Sequence, residues 1–415
     1  GNSVPRFHIV WGTGPGLVEP FANKVLEAAS SGRIDYKPRH KVTELITENG
    51  AVVGIQGHVL QPSDVQRGKE SSREVIGDFE YRADAVVIAS GGIGANLDLV
   101  KKNWPSRLGI PPKRMVSGVP AYVDGSMLEI AEGVGGRLVN RDRMWHYTEG
   151  LKNWNPIWKN HGIRILPGPS SMWLDALGNR FAAPNFPGFD TLSTLEAIQK
   201  TGYDYSWFIL TEKIIEKEFA LSGSEQNPDL TNKSIQDVIK RALPGPPKPV
   251  QAFKEYGEDF VIAHSLKELV TGMNQLAGDE LLDFIHIKEQ VLARDREIEN
   301  TFTKDAQVTA IRGARNYIGD KLIRVAKPHK ILDPQAGPLI AVRLNILTRK
   351  TLGGLQTDLT GAVLNDAGVR IPGLFAAGEV CGFGGGGVHG YRSLEGTFVG
   401  GCLFTGLQVG KYLSK

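Results

Sequence analysis

Two apolar runs that each break off at glycine constrain this chain more than any other feature. Ala85-Val86-Val87-Ile88-Ala89 ends at Ser90-Gly91-Gly92, and Gly373-Leu374-Phe375-Ala376-Ala377 ends at Gly378-Glu379. A continuous apolar run of this length reads as a strand buried on both faces of a sheet. Glycine at its end lets the main chain turn sharply or approach a bound molecule closely. The 50 glycines have no period, which excludes a collagen-like chain, and many sit between apolar runs. That distribution suits a backbone pressed against a large ligand.

Bulk properties narrow the rest. At 415 residues the chain has room for two or three domains, and 41% hydrophobic with 22% charged residues marks it as globular. A net charge of +3 without a Lys/Arg block excludes the concentrated basic face that nucleic acids require. Two cysteines, Cys381 and Cys402, make no disulfide framework, so a reducing, cytoplasmic location is expected. No apolar stretch reaches the roughly 18 residues of an integral membrane segment, and GNSVPRFH at the start has no secretory pattern. His8, His40 and His161 lack metal-ligand spacing, so no metal is expected.

Along the chain, Leu17–Ala29 places Val18, Phe21, Val25 and Leu26 on one helical face, with Gly32 as a stop. Strands are expected at Ile34–Tyr36, Lys41–Thr47 and Ala51–Leu60, the last two joined by a hairpin at Asn49-Gly50. Residues 61–74 are polar and read as a loop. From residue 113 the texture changes to dense Trp and Pro, then to helices: Ser265-Leu266-Lys267-Glu268 is a capping-box signature, and residues 279–300 form a second amphipathic helix. Pro244 to Pro249 reads as a rigid surface loop. After residue 336 the α/β texture returns with strands Leu339–Leu347 and Leu355–Asp358, and a helix from about Leu394 to Leu413. The order α/β, mixed insertion, α/β again points to one domain inserted in another.

Three segments carry a family resemblance. ADAVVIASGGIGAN (Ala83–Asn96), TRKTLGGLQTD (Thr348–Asp358) and IPGLFAAGEVCGFGGGGVHGYRSLEGTFVGG (Ile371–Gly401) resemble, in this order, the FAD-binding segments of the fumarate reductase and 3-ketosteroid dehydrogenase superfamily. VDGSMLEIAEGVGGRLVN (Val123–Asn140) and WLDALGNRF (Trp173–Phe181) resemble pieces of its capping domain. The resemblance implies an α/β fold: a Rossmann-like FAD-binding domain, incomplete at its N-terminus, with an inserted α+β capping domain. Residues 1–112 and 336–415 then form the FAD-binding domain and residues 113–335 the cap. It implies that Val42, Ser90, Gly91, Gly92, Gly353, Gly354, Gly378, Glu379, Ser393 and Leu394 bind FAD, with Val42 holding the adenine edge by its backbone. Physical chemistry agrees for the central ones. Gly91 and Gly92 let backbone approach a dinucleotide at a strand's end, Glu379 can accept a ribityl hydroxyl proton, and a helix beginning near Leu394 aims N–H groups at a flavin carbonyl. A plain turn at Gly91-Gly92, a solvated Glu379 and an ordinary strand valine at Val42 are the competing readings.

Two departures shape the expected chemistry. The family's opening strand and G-x-G-x-x-G turn is not found; Phe7–Leu17 (FHIVWGTGPGL) imitates it, yet its third glycine position is Leu17 and Pro15 lacks an N–H. It is read as an internal loop leading to a helix, and a chain beginning after the first βαβ unit would hold FAD weakly or not at all. Where the resemblance implies a proton-donating Arg, Pro187-Gly188-Phe189-Asp190-Thr191 has Phe189, and the His of the T-M-G-G turn is Arg349. His146, in MWHYTE, matches a substrate-side His, and Tyr391-Arg392 lies near a second substrate Arg. The expected activity is therefore FAD-dependent dehydrogenation, or reduction, of a carbon–carbon bond beside a carbonyl. The substrate is a small molecule, an apolar or ring ketone more readily than a dicarboxylate, with the electron acceptor unassigned. Tyr391, His146 and Tyr147 are the candidate acids and bases; Arg349 and Arg392 can polarise a carbonyl. The tryptophans of residues 145–173 read as core. An NAD(P)-linked reductase using the Gly12 loop and a non-catalytic binding module are the alternatives.

Overall fold

The computed structural model describes residues 10–66, 69–241, 243, 245–382 and 398–415. Helix α1 (Thr13–Ser30) begins earlier than its apolar spacing predicts, behind Gly12 in the left-handed region at φ 91°. Its apolar face of Val18, Phe21, Val25 and Leu26 is exposed, Phe21 to 55%. The strand expected at Ile34–Tyr36 is absent: the Arg33 and Ile34 N–H groups both bond to Ala28 O, which folds this segment back on the helix end. Strands β1 (His40–Glu48), β2 (Ala51–Leu60) and β3 (Val75–Arg82) form an antiparallel sheet in that order. The Asn49-Gly50 hairpin is present, with φ 51° and 79°, the sign a tight two-residue turn needs.

The first glycine-terminated run forms only a short strand, β4 (Val86–Ile88). Ile88 is buried but Val87 is 41% exposed, so the expectation of burial on both faces is corrected to one face. Helix α2 (Leu97–Lys102) follows, capped by the Asn96 side chain.

The middle of the chain builds an eight-stranded sheet around a large apolar core that includes Trp173, Trp207, Phe208 and Phe253. Its elements begin with β5 (Val116–Ser117); α3 (Ser126–Gly133) and β6 (Leu138–Val139) lie outside the sheet. Next come β7 (Met144–Lys152), β8 (Gly162–Leu166) and β9 (Met172–Asp175), then α4 (Thr191–Lys200) and β10 (Tyr205–Thr211). Helix α5 (Glu212–Glu218), β11 (Ala220–Leu221), α6 (Pro228–Thr231) and α7 (Ile235–Lys240) lead to α8 (Lys248–Tyr256). Because α8 starts at Lys248 with Pro249 in its first turn, the proline-rich loop ends sooner than its composition predicts. Strand β12 (Phe260–Ala263) precedes α9 (Leu266–Ala277), whose Ser265/Glu268 capping box is formed and whose Leu269, Val270 and Met273 are buried. Helix α10 (Phe284–Glu299) starts at Phe284 rather than residue 279, since the Asp283 carboxylate caps it by accepting the His286 N–H. Helix α11 (Ala306–Ala314) completes the set.

The strand read at Leu339–Leu347 extends to Thr351 as β13 (Leu339–Thr351). It pairs with β10, β12, β7 and β5, so it is central to the eight-stranded sheet built by the preceding residues. The expected strand Leu355–Asp358 shrinks to β14 (Gly354–Leu355), paired with β6. Strands β15 (Ala362–Leu364) and β16 (Arg370–Ala376) join β4 in the order β15-β16-β4, with β16 parallel to β4. This parallel pair sets the two glycine-terminated runs side by side. The last helix, α12 (Phe398–Leu413), ends the chain.

Candidate flavin site

The carboxyl ends of β4 and β16 lie side by side, Ile88 opposite Ala376, and the Ala377 N–H bonds to Ile88 O at 3.0 Å. Both runs leave their strands through left-handed glycines, Gly91 at φ 81° and Gly378 at φ 79°. The end of β13 enters between them. Thr351 Oγ1 accepts the Ile93 N–H at 2.9 Å, and the Thr351 N–H donates to Glu379 Oε1 at 2.8 Å. Three segments far apart in sequence, 91–94, 349–354 and 378–382, thus share one knot.

Glycine is required for this approach. A Cβ on Gly92 would lie 2.0 Å from Thr351 Oγ1 and 2.8 Å from Glu379 Oε1. One on Gly94 would meet Arg349 O at 2.7 Å, and one on Gly354 would meet Val380 O at 2.4 Å and Gly382 N at 2.5 Å. Gly353 abuts Asn140 O, so the turn also touches the segment after β6. Beside the knot a cleft opens, lined by Ile93, Leu99, Leu128 and Leu138, by the charged Lys102, Glu129, Glu132 and Arg141, and by Asn103, Thr351, Gly353 and Gly354.

These features fit a flavin dinucleotide. The cleft combines apolar and charged side chains with the Gly353-Gly354 backbone, beside the carboxyl ends of the parallel strands β4 and β16, where α/β sheets bind such ligands. Ser90 stands exposed at the end of the β4 segment. Glu379 is held beside the cleft by Thr351, and burial pushes its carboxyl above its ordinary range, while the Thr351 hydrogen bonds and the charges of Lys350 and Arg349 pull it back. The folded chain therefore holds this proton more tightly than the unfolded chain, so stability is lost as pH rises from the ordinary carboxylate value through the raised one. Glu379→Gln is expected to leave the flavin-free chain's melting temperature unchanged below that window and higher above it. FAD affinity falls roughly tenfold, the loss of one hydrogen bond to a charged acceptor. Melting curves across pH and an FAD titration check both.

The other predicted residues divide. Val42 is half-buried on β1 opposite Gly57, in a separate sheet. His146 is 2% exposed with its ring 4.8 Å from that of Trp104. Among the described residues its Nδ1 has no hydrogen-bond partner, and burial lowers its pKa to about 4, so the imidazole is neutral at physiological pH. Tyr147 is fully buried on the next position of β7. Tyr391, Arg392, Ser393 and Leu394 lie outside the described residues. Of the tryptophans, Trp173 is core and donates to Ser206 Oγ at 2.9 Å, whereas Trp154 is 42% exposed. Thr351 and Ile93 were missed; a threonine immediately before Leu352-Gly353-Gly354 was the signal available. The imitation fingerprint is occupied by the protein itself. Gly12 N–H bonds to Leu230 O, Thr13 Oγ1 bonds to Ser224 and Thr231, and Lys233 packs over Gly12. Among the described residues no His/Cys/Asp/Glu group could hold a metal, and no helix is long and apolar enough to cross a membrane.

Comparison with known proteins agrees with this geometry. The family described as an FAD binding domain matches residues 1–399. A KsdD-like steroid dehydrogenase of Mycolicibacterium smegmatis is 61% identical over 399 residues, covering 96% of this chain and 72% of that protein. One from Mycobacterium tuberculosis is 59% identical over 412 residues, covering 99% and 72%. Among solved structures, the open conformation of a flavocytochrome c3 fumarate reductase is similar with TM-score 0.58 at 19% identity, over 98% of this chain and 57% of that one. A 3-ketosteroid-Δ4-(5α)-dehydrogenase from Rhodococcus jostii, in complex with 4-androstene-3,17-dione, is similar with TM-score 0.54 at 19% identity, over 99% and 67%. The two structures share the fold, and the sequence match carries the family: this chain belongs to the FAD-binding-domain family and is a flavin-dependent oxidoreductase.

Proposed function

We propose that the protein dehydrogenates a carbon–carbon bond next to the carbonyl of an apolar ring ketone, of the size and polarity of a 3-ketosteroid. The observation that carries this reading is Phe189. It occupies the position at which the resemblance to fumarate reductases implies a proton-donating Arg, and it packs edge-on against Phe186 with ring centroids 5.5 Å apart. An aromatic pair there offers apolar contact and no proton. The KsdD-like relatives and the Rhodococcus jostii enzyme's bound androstenedione support a ring ketone.

When bound, FAD supplies the hydride acceptor. The chain's own residues bind and polarise. Arg349 lies at the head of the turn, where a guanidinium can hydrogen-bond a ketone oxygen. Arg392 shares that role by resemblance, and Tyr391 beside it is the candidate to take the proton next to the carbonyl. Neutral, buried His146 positions Trp104 and the strand rather than donating a proton.

The test is anaerobic mixing of the flavin-loaded protein with 4-androstene-3,17-dione and, separately, with succinate. The ketone is expected to bleach the flavin absorbance and succinate to leave it unchanged. Bleaching by succinate alone would overturn the assignment.

A further inference from the structure

We propose that the π-helical turn Asp320–Arg324 and helix α7, which flank the edge strand β11, form a surface that docks on an anionic lipid bilayer. The proposal goes beyond the flavin site and does not rest on the ring-ketone reading.

The apolar side chains are the first argument. Beneath the turn, Ile311, Ala314 and Val325 make a closed core cluster. On its outer side Ile318, Leu322 and Ile323 are 63%, 59% and 64% exposed. The Val325 N–H bonds back to Asp320 O at 2.8 Å, the five-residue closure of a π turn, a rare geometry in folded chains. Helix α7 adds Ile235 and Ile239, four residues apart on one face, and Leu243 follows beyond its end; all three are exposed. Single exposed aliphatic residues are ordinary, but a group of them marks an interaction surface.

Both elements hang on the same sheet edge. Arg324 Nη2 donates to Leu166 O at 3.1 Å, and Leu166 pairs with Ala220 of β11. Arg241, at the end of α7, donates to Asn227 Oδ1 at 3.0 Å, and Asn227 Nδ2 donates to Leu221 O at 2.9 Å. The Arg241 charge reaches Arg324 across this edge.

Charge selects the occupant. Within residues 312–327, Arg312, Arg315, Lys321, Arg324 and Lys327 stand against a single acid, Asp320, which is buried. Main-chain carbonyls hold several of these cations without neutralising them: Arg312 donates to Ile298 O and Asn300 O, Arg315 to Val325 O and Arg324 to Leu166 O. Lys217 of α5 likewise donates to Leu322 O at 2.6 Å. The neighbouring acids are engaged, Asp229 with Arg241 and Asp237 with Lys240, while Glu216 lies among the charges of Lys213, Lys217 and Lys254. Aliphatic side chains among cations suit a bilayer interface, where the former enter the acyl boundary and the latter meet lipid phosphate. A second copy laid here about a two-fold axis would set like charges together. Docking would hold the enzyme at the phase in which an apolar ketone dissolves.

The experiment sediments the full chain with vesicles of phosphatidylcholine alone and of equal parts phosphatidylcholine and phosphatidylglycerol, at low and high salt. Binding is expected to the anionic vesicles only, and to weaken as salt rises. Leu322→Ser/Ile323→Ser is expected to weaken it about tenfold through lost apolar burial. Lys321→Glu is expected to weaken it roughly tenfold or more through charge. Both change exposed side chains, and whichever keeps the unsubstituted melting temperature is scored. No sedimentation, equal sedimentation with both vesicles, or a scored variant that sediments like the unsubstituted chain overturns the proposal. Capture by soluble polyglutamate without vesicle binding, the behaviour of a surface for an acidic protein, overturns it as well. Because no ketone enters this measurement, a failure of the substrate reading leaves its outcome unaffected.

Discussion

Gly92→Val is expected to purify without flavin. The added side chain would drive a Cβ to within 2.0 Å of Thr351 Oγ1 and 2.8 Å of Glu379 Oε1, atoms of the knot that closes the site. Neither neighbour can retreat cheaply. Thr351 is bonded through Oγ1 to Ile93 and through its own N–H to Glu379, so relief of the clash breaks one or both hydrogen bonds. Overpacking of this kind costs about 1–3 kcal/mol and each lost bond about 1 kcal/mol. Together they weaken FAD binding by roughly a hundredfold or more. The flavin-to-protein absorbance ratio after purification reads the result, and a fully yellow Gly92→Val protein would show that these segments do not hold the ring.

The second large effect concerns stability. Asp259 is buried where β12, β13 and β7 meet. Its Oδ1 accepts from Arg343 Nε and Nη2, both at 3.2 Å, and its Oδ2 from the Lys152 N–H at 2.8 Å and Asn345 Nδ2 at 3.1 Å. Burial raises its carboxyl and these donors lower it again. Asp259→Ala removes the acceptor and leaves the buried Arg343 guanidinium without its counter-charge. Breaking one side of a buried ion pair costs about 3–5 kcal/mol, so the urea midpoint is expected to fall by about 1–3 M at a typical m-value. A midpoint unchanged within error would mean that Arg343 finds compensation elsewhere.

The parts of this fold that are legible in the sequence are those fixed by local chemistry. The Asn49-Gly50 hairpin, the Ser265/Glu268 capping box and the glycines after Ala89 and Ala377 each follow from backbone requirements of a few adjacent residues. Failures arise where a partner distant in sequence decides. The apolar face of α1 predicts burial and is exposed, while Ile34–Tyr36 has strand composition but no strand beside it, and the Ile34 N–H turns back to Ala28. The apolar run at Ala85–Ala89 predicts two covered faces, yet Val87 is open on one. At the site, Gly92 abuts Thr351 and Glu379, and Gly354 abuts Val380 and Gly382, so the three glycine-bearing segments are neighbours. Thr351 is visible beside Leu352-Gly353-Gly354, but the register shift between Thr348 and Lys350 is not, because register is a property of two strands and not of one.

The central claim is that the segments around Gly92, Thr351 and Glu379 form a flavin site. Titrating the flavin-free chain with FAD while following flavin fluorescence tests it most directly. The account predicts a saturable change at one FAD per chain that is lost in Gly92→Val. A Gly92→Val curve superimposable on a saturable curve of the unsubstituted chain would contradict it.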